Sequence, residues 1–113
     1  MLNDSLVLDR AFSALADPVR RGMLARLALG PASVSELASP LPISLPAVLQ
    51  HLKALETSGL VASEKKGRVR TVKMQPDALG AAEDWLARRR KEMEARLDRF
   101  ENYVATLKAQ GEE

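Results

Sequence analysis

With 113 residues, the chain has room for one domain and too little for two with separate cores. It contains no cysteine, which excludes disulfides, thiolate metal sites and cysteine nucleophiles. The net charge of +2 is unevenly spread: residues 44–74 hold six basic residues (Lys53, Lys65, Lys66, Arg68, Arg70, Lys73) against Glu56 and Glu64, so this stretch carries +4 and the remainder −2. Charge gathered in one part of a near-neutral chain points to a polyanionic partner. No apolar run approaches membrane-spanning length, and Met1–Arg10 lacks the basic start and apolar core of a signal peptide. The expectation is a cytoplasmic protein with no membrane partner.

Leu8, Phe12 and Leu15 recur at helical spacing, which predicts a first helix over about Asp4–Ala16. Asp17-Pro18 restarts the chain: Asp17 can cap, and Pro18 suits a first helical position, where its missing N–H would be unpaired anyway. The second helix turns Val19, Met23, Leu24 and Leu27 inward and stops at Leu29-Gly30-Pro31. Ser33 and Glu36 have capping-box spacing. The helix they open is short, because Pro40 and Pro42 forbid its continuation.

Ser44 caps the next helix, about Leu45–Thr57, expected to bury Leu45, Val48, Leu52 and Leu55 and to stop at Ser58-Gly59. The period then shortens to about two residues. Leu60–Lys65 and Arg68–Met74 read as strands joined at Lys66-Gly67, a hairpin within 61–74. A last helix covers about 78–108, with Leu79, Leu86, Met93, Leu97, Phe100, Val104 and Leu107 spaced in threes, fours and sevens like a coiled-coil seam. The order describes a mainly α winged helix-turn-helix with a small β-hairpin, read as a single domain over 1–113.

A helix fits the major groove of B-DNA, and a short second helix braces it from behind. With Val48 at the buried centre, a 100° step per residue places Pro46, Gln50, Lys53 and Thr57 on the opposite side of the helix, flanked by the small residues Ala47 and Ala54. Gln50 is the candidate base reader, since a side-chain amide can pair bidentately with adenine, while Lys53 suits a phosphate. Ser44 at the helix start can touch phosphate as well as cap. His51 lies about 60° from the buried centre and straddles core and DNA surface. Lys65, Lys66, Arg68 and Arg70 at or near the hairpin tip are placed to follow the backbone or enter a minor groove.

The residues that carry these features resemble the ArsR-type family of bacterial repressors. The likeness lies in Phe12-Ser13-Ala14-Leu15-Ala16-Asp17-Pro18-Val19-Arg20-Arg21, in Ser33-Val34-Ser35-Glu36-Leu37-Ala38 and in Pro46-Ala47-Val48-Leu49-Gln50-His51-Leu52-Lys53-Ala54-Leu55. It continues through Gly59-Leu60-Val61, Lys65-Lys66-Gly67-Arg68 and Trp85-Leu86, about residues 8–105 in all. The resemblance implies that the helix over 45–57 is the recognition helix. It implies a homodimer built on the first and last helices, here through Leu8, Phe12, Trp85, Leu86, Met93, Leu97, Phe100 and Val104. It also implies repression at a palindromic operator, released by a signal whose ligand stays open. Two positions depart from the pattern. Leu49 stands where the family usually has serine or threonine, leaving that polar DNA contact without its usual side chain. Gly22 sits inside the second helix, at a cost of about 1 kcal/mol relative to alanine.

Many members of the family sense metals through cysteines or through sets of histidines and carboxylates. This chain has no cysteine, its one histidine lies on the recognition helix, and carboxylates alone bind soft or borderline metals poorly. The likeness is therefore to the cysteine-free branch, with no metal site and no cofactor expected. Nor is there a nucleophile–base pairing or a glycine-rich phosphate loop, so an enzyme is not expected. Arg88-Arg89-Arg90-Lys91 is flanked by Glu83, Asp84, Glu92 and Glu94 and reads as ion pairing along the helix or across a dimer. A helix of about 30 residues spans some 45 Å, more than a core of this size can cover, so its surplus apolar surface calls for a second subunit. The competing reading is a winged-helix module that docks another protein and binds no DNA.

Overall fold

Local capping sets where three helices of the chain begin, at Pro18, Val34 and Leu45. The computed structural model describes residues 4–111, and α1 runs from Asp4 to Leu15. Its inward face is made by two small residues, Ala11 and Ala14, while Phe12 stays exposed. Asp17 then caps α2 (Pro18–Leu27), its carboxylate accepting from the backbone N–H groups of Val19 (2.8 Å) and Arg20 (3.1 Å). Helix α2 ends at Leu27, two residues before the expected stop, and Gly30 follows with φ +139°, open only to glycine at low cost.

Ala32–Ser33 form a two-residue strand, β1, and Ser33 also caps α3 (Val34–Ala38). The capping box is complete: Glu36 N–H donates to Ser33 Oγ, and Ser33 N–H donates to the Glu36 carboxylate, both at 3.1 Å. Ser44 Oγ accepts from Ala47 N–H and opens α4 (Leu45–Thr57) with Pro46 in its first turn. Helix α4 closes in a Schellman motif. Leu60 N–H donates to Leu55 O, Gly59 N–H donates to Glu56 O, and Gly59 has φ +79°. Leu55 and Leu60, which flank the motif, are both fully buried.

Strands β2 (Val61–Lys66) and β3 (Val69–Met74) form an antiparallel hairpin whose closing pair is Lys66 and Val69. The two-residue loop is thus Gly67-Arg68, one position later than the expected junction. Gly67 at φ +61° occupies the first central position, and among the described residues only glycines have positive φ, the pattern of a type II′ turn. Strand β1 pairs with the free edge of β3, Ala32 opposite Val72, so the sheet is three-stranded in the order β1-β3-β2. Helix α5 runs from Pro76 to Gly111, beginning two residues before the expected start with its proline at the first position.

The chain divides into two compact units, one up to Ala82 and one from Glu83 onward. The core of the first gathers Met23, Leu24 and Leu27 from α2, Leu37 from α3, Val48, Leu52 and Leu55 from α4, and Leu60, Val61 and Val72 from the hairpin. Ala78 and Ala82 are buried in the first two turns of α5. Leu45 is a correction. It is 55% exposed, because it sits in the first turn about 60° round from Val48 and is not among the residues that build the core. Over its described residues, 83–111, the second unit is one continuous helix on which Leu86, Met93, Leu97, Phe100, Tyr103 and Leu107 are exposed. None of the described helices is long and apolar enough to cross a membrane.

Candidate nucleic-acid interface

The outer face of α4 follows from the three residues that hold its inner face. Val48, Leu52 and Leu55 are fully buried, and the opposite side leaves Pro46, Gln50, Lys53 and Thr57 exposed. Ala47 is half-buried beside them. Ser44 is exposed and engaged as the cap, so its hydroxyl oxygen and the first backbone N–H groups of α4 share one end of the helix. The structure thus places Ser44, Pro46, Ala47, Gln50 and Lys53 on one continuous surface.

His51 belongs to the flank of that surface and is half-buried. Arg20 Nε donates to its Nδ1 at 3.2 Å, and Asp17 Oδ1 lies 3.9 Å from the same nitrogen. The imidazole therefore ties α4 to the start of α2. Its alignment with α2 has no local sequence signature, since the partners are 31 residues apart.

At the hairpin, Lys65, Lys66 and Arg68 are exposed around the tip. Arg70 differs: its guanidinium bonds to the Glu56 carboxylate and, through Nε at 2.9 Å, to Ser63 Oγ, and Ser63 Oγ donates to the same carboxylate. Strand parity explains this. Arg70 lies two residues before the buried Val72 and so shares its inward face. The three side chains lock the hairpin to α4 and leave Glu56 neutralised beside the cationic surface.

Sequence reading missed two features here. One is the exposed Leu45, which joins the exposed Leu49 on the α4 flank nearer the hairpin. The other is a cavity of about 600 Å³ between α1, α2 and α4, lined by Asp9, Arg10, Ser13, Arg20, Gln50 and Lys53 among others. Among the described residues no group of three or more histidines and carboxylates is close enough together to hold a metal ion.

On the separate helical unit, Arg89 and Glu92 pair at 2.9 Å, one turn apart, and the Arg89 guanidinium stacks 4.8 Å from the centre of the Trp85 ring. Part of the basic run is thereby engaged along its own helix, as its flanking acids imply. Leu86, Met93, Leu97 and Phe100 are exposed there and Val104 is half-buried. On α1, Leu8 is half-buried.

Comparison with known proteins gives three kinds of likeness. Residues 15–64 match a family model described as a helix-turn-helix domain. The HTH-type transcriptional regulator Rv2034 of Mycobacterium tuberculosis is 51% identical over 73 residues, 65% of this chain and 68% of that protein. The HTH-type transcriptional repressor SmtB of the same organism is 40% identical over 65 residues, 55% of this chain and 48% of that one. A crystal structure of an ArsR family transcriptional regulator aligns with TM-score 0.78 and 44% identity, covering 83% of this chain and 97% of the other.

Proposed function

The chain belongs to the ArsR family of helix-turn-helix transcriptional regulators, and from that premise we propose that it is a homodimeric repressor which occupies a palindromic DNA operator. One observation carries the reading. The exposed face of α4, with Gln50 and Lys53, stands beside a hairpin clamped to the same helix through Glu56, Arg70 and Ser63, with Lys65, Lys66 and Arg68 around the hairpin tip. The helix offers a base-reading amide to the major groove, and the tip offers cations to phosphates or the adjoining minor groove. Ser44, Pro46, Ala47 and His51 complete the helix side of the contact. Arg70 contributes by holding the hairpin in register.

Pairing of two chains supplies the two-fold symmetry. The exposed Met93, Leu97 and Phe100, with Trp85, Leu86 and Val104, offer a self-complementary apolar stripe on α5, and α1 offers Leu8 and Phe12. A two-fold pair sets its recognition helices about 34–36 Å apart, one turn of DNA, which requires an inverted repeat. Repression is supported by the likeness to SmtB, a repressor, and by steric occupancy as the simplest consequence of tight operator binding.

The test is selection of bound fragments from genomic DNA with the purified chain, followed by titration of the recovered duplex at several salt concentrations. An inverted repeat is expected. Gln50→Ala should lower affinity and relax preference at one base pair per half-site. Arg68→Ala should weaken all duplexes alike and flatten the salt slope by about one for each phosphate that the arginine neutralises. Recovery of no enriched sequence, with a stoichiometric protein partner in its place, would overturn the reading.

A further inference from the structure

We propose that Leu45 and Leu49 read thymine methyl groups in the major groove, so that each half-site carries thymine beneath the first half of α4. The inference rests on the DNA-binding role proposed for α4. Leu45 is 55% exposed and Leu49 38%, and Ile43 adds a third exposed apolar side chain just before the Ser44 cap. At 100° per residue the two leucines stand within about 40° of each other, one turn apart, and form a strip along the helix.

A single exposed leucine needs no explanation. This strip does, because the helix is already held by Val48, Leu52 and Leu55, all fully buried, and because the leucines adjoin Gln50 and Lys53. Contiguous exposed apolar surface marks a contact site. Its surroundings select the occupant: the stretch over 44–74 carries +4, and Glu56, the acid on the same flank of α4, is neutralised by Arg70. A polyanion with apolar points on it fits that combination. The major groove offers one apolar group among its base edges, the thymine C5-methyl, and recognition helices touch base edges with their first residues. Leu45 is the first residue of α4 and Leu49 the fifth. With Gln50 suited to adenine next to them, the half-site is rich in A·T pairs.

Replacing thymine by uracil in the selected duplex removes only the methyl and keeps the base pair. Wild-type protein should lose about fourfold in affinity for each methyl it buries, at one or more positions in each half-site. Leu49→Ala and Leu45→Ala should each bring the thymine-to-uracil affinity ratio to near one at one such position. Both variants should keep the wild-type helical signal and unfolding midpoint, since neither leucine belongs to the core. A wild-type ratio of one at every position overturns the inference while leaving DNA binding intact, as does a ratio that both variants leave unchanged. If Leu49→Ala weakens self-association and leaves the ratio unchanged, the strip is a protein contact and the inference is wrong. A chain that selects no duplex at all removes the functional reading and this inference together.

Discussion

Asp17 holds the junction between α1 and α2 and approaches His51 of α4 as well. Its carboxylate accepts from the backbone of Val19 and Arg20, and it faces His51, whose Nδ1 accepts from Arg20 Nε. The Arg20 backbone N–H holds the Asp17 carboxyl below its ordinary value of 3.8. Partial loss of water works against this, and the Val19 N–H, His51 and the Arg20 charge add to the lowering. A carboxyl depressed in the folded state stabilises the fold above its unfolded pKa, and that contribution is lost as pH falls through the folded value. Asp17→Ala should therefore unfold at a lower temperature than the parent at neutral pH, and the gap should close as pH falls below about 3.8. A gap that stays constant down to acid pH would show that the carboxylate charge is not what matters. The Asp17 cap was legible because its partners are two and three residues away. The Arg70 clamp was not read from the sequence, which set Arg70 with the DNA-facing cations of the hairpin; the parity that it shares with the buried Val72 is the signal that turns it inward. The Arg20–His51 contact had no such signal, since nothing local distinguishes a histidine that meets α2 from one that meets DNA.

The capped helix ends were readable for one reason: unpaired backbone N–H and C=O groups must find partners nearby, and the residues that supply them stand at fixed offsets. Ser33 with Glu36, Ser44 and Gly59 each do so. Strand β1 was not readable, because two residues have no period of their own and its pairing partner lies at Thr71–Val72, far along the chain. Leu45 misled for a related reason. Its spacing from Val48 fits the buried face, but spacing does not say where along a helix the core begins. The leucines of α4 now fall into a buried and an exposed set with different expected costs. Leu52→Ala should destabilise by about 2–5 kcal/mol in urea unfolding, since Leu52 is 0% exposed and leaves a cavity. Leu45→Ala should stay within about 0.5 kcal/mol of the parent. Equal losses at the two positions would place Leu45 in the core after all.

At the scale of the whole molecule, the chain joins a mixed α/β unit to a long helix. Helix α5 has 36 residues, about 54 Å at 1.5 Å per residue. Its apolar spacing of threes and fours is the pattern of a helix that meets another helix, and Leu86, Met93, Leu97, Phe100 and Leu107 stand exposed along it. Which chain supplies the second helix is not written in that spacing. The proposed homodimer predicts that Leu97→Glu, which puts a charge in the middle of the stripe, shifts the protein to monomer at micromolar concentration in sedimentation equilibrium. Operator affinity should fall with it. An unchanged mass would move the pairing surface elsewhere.

The claim on which all of this turns is that two copies of α4, each with its basic hairpin, enter successive major grooves. Hydroxyl-radical and methylation footprinting on the selected site measures it directly. Two protected major-groove segments are expected, related by a dyad and centred about 10 base pairs apart, with flanking backbone protection that weakens in Arg68→Ala. A single protected segment, or uniform protection without a dyad, would contradict it.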